Sequence, residues 1–289
     1  MKVSGFTFVR NAIKFDYPIV EAISSILPIC DELVVAVGKS EDGTLELVKS
    51  ISSDKINIIE TIWNNSLRSG GSVLADETNK AFASISDESD WAFYIQGDEV
   101  IHEAQLTTIY DAMLLYKDDK TVDGLLFNYS HFYGSYNFVG DSRRWYRNEI
   151  RIIRNNKEIS SYKDAQGFRK NGCKLNVKII DATVYHYGWV KPPEAQQAKQ
   201  QTFHKLWHSD DWMKINIPQV DKFDYSAIDS LKHFKGSHPK VMLDRISKMN
   251  WDFSYDFTKK RISYIFKISL FIEKNFGWRI GEYKNYKII

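Results

Sequence analysis

The sequence is poor in the residues that staple a chain or break it. Two cysteines in 289 residues, Cys30 and Cys173, lie far apart with no Cys-X-X-Cys or Cys/His spacing. A disulfide framework and a zinc site are thereby excluded, and a reducing compartment fits. Neither sign of charge dominates: 39 Lys and Arg face 37 Asp and Glu, a net +2. That balance is too even for the broad basic surface of bulk nucleic-acid binding, so no nucleic-acid partner is expected and any anion site must be local. No stretch reaches the roughly 18 apolar residues of a membrane span; the nearest, 262–272, is interrupted by Lys267. Repeats and low-complexity linkers are missing as well. The apolar content of 43%, with 14% aromatics, describes a folded chain able to bury a sizeable core. Residues 1–10 have a short apolar run followed by charge, which reads as a first strand rather than a leader segment, and a cytoplasmic location is the expectation.

Several familiar motifs are also missing. There is no Gly-X-Gly-X-X-Gly after a strand, no Gly-X4-Gly-Lys-Ser/Thr loop and no Gly-X-Ser-X-Gly elbow. Dinucleotide oxidoreductases, P-loop phosphotransferases and the simplest hydrolases lose their usual signatures.

What is present is an alternation of strand-like and helix-like segments. Residues 2–9 read as a strand, and Asp16 then caps a helix with Pro18 in its first turn, Val20, Ile23 and Leu27 on one face, and Pro28 as its stop. Residues 32–37 form a continuous apolar run of the kind a strand buried on both faces shows. Asp42, in Ser40-Glu41-Asp42-Gly43-Thr44, caps a second helix carrying Leu45, Val48 and Ile51. A strand over 56–62, a helix over 72–85 and a strand over 91–95 follow. This rhythm predicts an α/β fold with a mixed, mainly parallel central sheet flanked by helices, and with ligands at the carboxyl ends of its strands. Beyond Gly97 a helix over 103–116 and strands over 124–133, 149–154 and 174–187 are expected, some antiparallel. Residues 1–190 make the main domain in this reading, and 191–289 a helical and irregular extension packed on it.

The segment from Trp91 to His102 carries the strongest chemical signal. A buried strand runs directly into Gln96-Gly97-Asp98-Glu99, placing carboxylates at the ligand edge of the sheet. Hard oxygen ligands there suit Mg²⁺ or Mn²⁺ bridging to a substrate diphosphate. The competing reading is a plain turn at Gly97-Asp98 with Glu99 starting a helix.

Four features in order carry a resemblance: a first strand ending in Phe8-Val9-Arg10-Asn11; Asp42-Gly43-Thr44 after the second strand; the helix from Gly70-Gly71 to Asn79-Lys80; and Gln96-Gly97-Asp98-Glu99 after the fourth strand. Together they resemble the family 2 glycosyltransferases of the GT-A fold, in particular a bacterial branch with an Asp-X-Asp-Glu type motif. The resemblance spans about the first 190 residues. It implies metal-assisted, inverting transfer of a sugar from a nucleotide-sugar donor to a glycan or lipid-linked saccharide acceptor. It places Arg10, Asn11, Asp42, Lys80, Gln96, Gly97 and Asp98 around the donor. Asp98 and His186, the latter in Tyr185-His186-Tyr187-Gly188, would hold Mn²⁺ or Mg²⁺, and Asp164, in Ser161-Tyr162-Lys163-Asp164, would be the general base. Two positions depart from the pattern: Gln96 replaces an acid, and Gly38-Lys39 stands where an acid would contact the nucleobase, so the nucleotide is not inferred.

Further on, the 149–154 strand resembles the family's Arg-Leu-Phe-Arg strand. Arg151 and Arg154 lie three apart and so face opposite sides, which means they do not serve one ligand. Trp145, Tyr146, Tyr185, Tyr187 and Trp189 offer faces to a sugar ring or fill core. Lys259, Lys260 and Arg261 precede Ile262, Ile265, Phe266 and Leu270 at helical spacing. That pattern fits peripheral membrane contact or packing on the chain's own domain. A non-catalytic nucleotide- or carbohydrate-binding module and a sugar nucleotidyltransferase are the competing functions, although Arg10-Asn11-Ala12 lacks the Gly-rich loop of the latter.

Overall fold

Apolar runs such as 33–37 and 91–94 make the centre of the molecule, because a strand buried on both faces leaves few positions for polar side chains. The computed structural model describes all residues except 65, 68–69, 208–209, 217–219, 259–263 and 280. The first part of the chain runs β1 (Val3–Val9), α1 (Ile19–Ile26), β2 (Glu32–Gly38), α2 (Thr44–Lys49), β3 (Ile56–Thr61), α3 (Ser72–Ala83) and β4 (Trp91–Tyr94). The middle continues with β5 (Glu99–Ile101), α4 (Leu106–Leu115), β6 (Gly124–Tyr133), β7 (Ser135–Gly140), β8 (Asn148–Arg154), β9 (Ile159–Tyr162), β10 (Gly167–Lys170), β11 (Cys173–Lys174) and the long β12 (Asn176–Trp189). The last part holds α5 (Pro193–His204), α6 (Asp210–Asn216), β13 (Leu231–His233), α7 (Leu243–Ser247), α8 (Tyr264–Phe276) and β14 (Lys287–Ile288).

Among the described residues these strands build an eleven-stranded mixed sheet in the order β3-β2-β1-β4-β8-β6-β7-β13, with β12 joining β6, β5 and β14. The pairs β1/β2, β2/β3 and β1/β4 are parallel, so β1 to β4 all end on one edge. β8 reverses the direction against β4 and β6. Strands β9 to β11 form a separate three-stranded sheet. The α/β architecture with a flanked mixed sheet is the one the alternation predicts.

Period-two alternation sorts the core into two layers. Leu33, Val35 and Val37 of β2 pack with Ile19, Ile23 and Ile26 of α1 on one face. Val34 and Ala36 pack with Ala81 and Phe82 of α3 on the other. Each Leu, Val, Ile and Phe among them contributes about 1.5–3 kcal/mol by leaving water. Residues beyond 190 are sewn onto the same sheet by β13, which pairs with β7, and β14, which pairs with β12. Arg245 fastens α7 to the start of α1 through Asp16 (2.6 Å) and Glu21 (3.1 Å).

Two local expectations need correction. Asp16 does not cap α1: it has φ 49° and is held by Arg245, while the capping position is Pro18 with no side-chain bond. Pro28 does not stop the turn but sits inside a 3₁₀ turn, Leu27–Ile29, that prolongs α1. Arg151 and Arg154 are both structural. Arg151 is fully buried on Glu99, and Arg154 lies 3.9 Å over the Trp91 ring and donates to the Lys117 and Val122 carbonyls. Lys259, Lys260, Arg261 and Ile262 of the expected amphipathic tail lie outside the described residues. Downstream, α8 leaves Ile268, Phe271 and Phe276 exposed, as is Trp278 after it. Among the described residues no helix is long and apolar enough to cross a membrane.

Candidate functional site

The loops leaving β1 and β2 lock into one another at the common carboxyl edge. Asn11 adopts φ 54°, a left-handed conformation that asparagine tolerates. Its backbone N–H donates to Ser40 Oγ (3.0 Å) and its side-chain oxygen accepts from the Glu41 N–H (2.8 Å). Asp42 accepts from the N–H groups of Lys14 (2.8 Å) and Thr44 (3.1 Å) and from the Thr44 hydroxyl, so its carboxylate closes the two loops together. The Arg10 guanidinium lies 5.4 Å over the Trp63 ring. Trp63 in turn rests on Gly38, where a Cβ would collide with the indole nitrogen. Arg10 Nε and Trp63 Nε1 are buried and meet no acceptor among the described residues. Both N–H groups are enclosed by the protein itself, and unpaired buried donors are costly to leave unmet. Lys80 is engaged elsewhere, on Asp76 (2.8 Å) and Glu77 (2.6 Å) of its own helix.

At the end of β4 the chain turns through Gln96-Gly97-Asp98 into β5. Glu99 is fully buried and takes both Arg151 Nε and Nη2 at 2.7 Å, the Tyr129 hydroxyl at 2.6 Å and the Gln96 N–H at 3.1 Å. That carboxylate is saturated. The Gln96 side chain points elsewhere: its Nε2 donates to the Ala165 carbonyl (3.2 Å). An acid at this position has no proton to give at neutral pH, which is a physical reason for the departure from the acidic motif. The tie holds the turn between β9 and β10, where Lys163 (φ 54°) and Ala165 (φ 60°) flank the half-buried Asp164.

Asp98 faces a different set of partners. Its Oδ2 receives Lys199 Nζ of α5 at 3.1 Å, and its Oδ1 lies 3.7 Å from His186 Nε2 of β12. Antiparallel pairing of β5 with β12 puts His186 opposite Glu99, which brings Asp98 and His186 together as the sequence expectation requires. Burial disfavours the Asp98 charge, yet the Lys199 ammonium beside it holds the carboxyl well below the usual carboxylate range.

The protonation of His186 follows from a relay of hydrogen bonds. His131 Nε2 lies 2.9 Å from the Tyr146 carbonyl, which only accepts, so this nitrogen carries a proton. Burial pushes the His131 pKa down to about 3, so the ring is neutral and its Nδ1 accepts from His186 Nδ1 at 3.1 Å. His186, whose pKa burial also lowers, therefore presents a bare Nε2 lone pair to the Asp98 carboxylate. Gly188 keeps the gap between them open: a Cβ there would stand 2.7 Å from both Asp98 Oδ2 and His186 Nε2. A bulge in the β12/β6 pairing between His186 and Trp189 sets this geometry.

Two facing electron-pair donors across a gap fit a cation. Among the described residues no three His, Cys, Asp or Glu side chains gather to cage a metal ion. The pair fits a divalent ion that takes the rest of its shell from water and a bound phosphate.

Beyond the Tyr146–His131 contact lies a cavity of about 820 Å³. Its lining includes Asp164, Glu149, Tyr146, Trp145, Arg144 and Trp207. Glu149 is buried, accepts from Gln166 Nε2 at 2.8 Å, and burial pushes its pKa up to about 8 against the pull of Arg151.

No protein-family model matches the chain, and no curated protein matches it. Among solved structures, S. aureus TarS is similar over 70% of this chain at 17% identity and a TM-score of 0.42. The chain spans only 39% of that TarS chain. The 4-diphosphocytidyl-2C-methyl-D-erythritolsynthase of Anaerococcus prevotii is similar over 66% of this chain and 91% of its own, at 12% identity and TM-score 0.40. Glucosyl-3-phosphoglycerate synthase from Mycobacterium tuberculosis, solved with Mn²⁺, UDP and phosphoglyceric acid, is similar over 46% of this chain and 43% of its own, at 17% identity and TM-score 0.30. At these identities and scores none of the three assigns a family to the chain.

Sequence reasoning did not anticipate Lys199, His131 or Glu149. His131 left a trace, a lone imidazole in the otherwise uncharged and largely aromatic β6. Lys199 left none, standing among glutamines in α5. Of the aromatics weighed for sugar contact, Trp145 and Tyr146 line the cavity, while Tyr187 is buried on Phe132 at 4.6 Å between ring centroids.

Proposed function

We propose that the protein is a GT-A type glycosyltransferase that moves a sugar from a nucleotide-sugar donor to a glycan or lipid-linked saccharide acceptor. The observation that carries this reading is the meeting of three strand ends and β12 at one edge. The interlocked Arg10–Asn11 and Ser40–Asp42 loops, the Gln96–Asp98 turn and the His186–Gly188 bulge stand together beside a cavity that holds an acid.

In this reading the stacked Arg10 and Trp63 side chains border the nucleoside, and the diphosphate lies against the Asp98 turn. The acceptor occupies the cavity with its hydroxyl at Asp164. The hydroxyl gives its proton to the Asp164 carboxylate as its oxygen bonds to the anomeric carbon. The bond from that carbon to the diphosphate oxygen breaks with its electron pair leaving on the diphosphate, which inverts the centre. When bound by Asp98 and His186, Mn²⁺ or Mg²⁺ supplies positive charge for the departing diphosphate. Gln96 positions Asp164 through the Ala165 carbonyl. The exposed apolar side chains of α8 and Trp278 suit contact with the surface that carries a lipid-linked acceptor.

The test is a panel of UDP-, GDP-, dTDP- and CMP-sugars, read for donor binding and for hydrolysis or transfer. One nucleotide class should bind and turn over. Asp164→Asn should lower turnover by about 10²- to 10⁴-fold with donor affinity retained. Binding without turnover under all conditions would make the chain a binding module instead.

A further inference from the structure

A lysine that only balances a buried carboxylate uses all its donors locally. The Lys199 ammonium has three N–H groups, and among the described residues it reaches two acceptors, Asp98 Oδ2 at 3.1 Å and the Gly188 carbonyl at 3.2 Å. Its side chain is 12% exposed and its position is fixed between the rings of Tyr17 (5.0 Å) and Phe203 (5.8 Å). It therefore stands as a preset positive charge on one side of the gap that Gly188 keeps open. One turn earlier on the same helix face, Gln196 is fully buried, and neither of its amide atoms meets a partner among the described residues. This wall of α5 thus carries an ammonium with a spare N–H beside the gap and, one turn away in the interior, an unpaired amide.

We propose that Lys199 is a built-in counter-ion for the donor diphosphate, so that a nucleoside diphosphate binds at the Asp98 turn without a divalent metal. The inference rests on the donor-binding reading above. The ammonium neutralises Asp98, which would otherwise repel the phosphates, and its third N–H donates to a phosphate oxygen. A metal ion at Asp98 and His186 then adds to a charge already present.

The experiment is calorimetric titration of UDP, GDP, dTDP and CDP into the full chain, in excess chelator and again in Mn²⁺. It uses wild type, Lys199→Met and Lys199→Arg, each checked for a cooperative thermal transition. Wild type should bind one of the four in chelator. Lys199→Met should bind it about ten- to a hundredfold more weakly there and recover when Mn²⁺ is added, while Lys199→Arg should keep most of the chelator-resistant affinity. Binding by wild type only in Mn²⁺ would overturn the role of Lys199 and leave the donor-binding reading standing. Equal chelator-resistant binding by wild type and Lys199→Met would overturn it too. No binding of any of the four under either condition would remove the donor-binding reading, and the inference with it.

Discussion

Glu99 and Asp98 leave the same strand end in adjacent positions, yet Glu99 is enclosed by four donors while Asp98 meets one ammonium and an imidazole 3.7 Å away. The Glu99–Arg151 pair is fully buried on both sides; the Asp98–Lys199 pair keeps 13% and 12% of its side-chain surface exposed. The first is a closed network in which every charge finds a partner, and it joins β5 to β8. The second is an open one at the sheet edge. Closure lets a buried charge serve the scaffold, because an unmet charge in the interior is expensive. Incompleteness is tolerated where water or a ligand can finish the shell.

The most severe way to break this contrast is at Arg151. Arg151→Met leaves Glu99 charged and buried without its counter-ion, with only the Tyr129 hydroxyl and the Gln96 N–H still donating to it, and should cost about 3–5 kcal/mol in urea unfolding. Asp98→Asn should cost less than about 2 kcal/mol and remove the gain in nucleotide affinity that Mn²⁺ gives, leaving the chelator-resistant binding in place. Equal stability losses in the two variants would erase the distinction between scaffold pair and ligand pair.

A third buried carboxylate sharpens it. Glu149 shares Arg151 with Glu99 only at a distance, and its pKa rises from 4.5 to about 8 through burial. The folded chain holds that proton more tightly than the unfolded one. Its contribution is therefore complete below about pH 4.5 and is lost as pH climbs through about 8. The loss amounts to about 5 kcal/mol at most. Denaturation across this window should show wild type losing stability relative to Glu149→Gln; parallel curves would show that Glu149 is ionised in the folded chain.

Gly188→Ala fills the gap between Asp98 and His186. It should cost about 1–3 kcal/mol in thermal unfolding and remove nucleotide affinity, whereas unchanged affinity would mean that the opening serves no ligand. The mildest change is Gln96→Glu, which replaces an N–H donor to Ala165 by a carboxylate. About 1 kcal/mol of stability should go, and kcat should fall more than the donor KM rises, because the displaced group is the Asp164 turn. A fall in donor affinity alone would place Gln96 on the nucleotide instead.

The parts of this molecule legible in its sequence are those with a local pattern. The apolar run of β2 announces a strand buried on both faces, and Leu33, Val35 and Val37 do part from Val34 and Ala36. The strand ends also follow, so Asp98 and the His186-Tyr187-Gly188 segment are legible from the sequence. Caps read less well: Asp16 and Asp42 sit where a cap belongs, but Asp16 is drawn to Arg245, 229 residues away, and Asp42 braces the loop at Lys14. The pair of arginines in β8 resembles a ligand-binding strand only until Glu99 and the carbonyls around Arg154 are seen to use both.

Sequence alone determined the α/β alternation, the edge on which β1 to β4 end and the place of Asp98 at that edge, because hydrophobic periodicity and strand ends are written over a few neighbouring residues. Tertiary structure decided which of the charges there are spent and which are kept. Asp98 meets a lysine 101 positions away, and Gln96 meets a carbonyl 69 positions away. Contacts over such separations depend on how α5 and the β9–β10 turn pack against the sheet, and no local pattern encodes them.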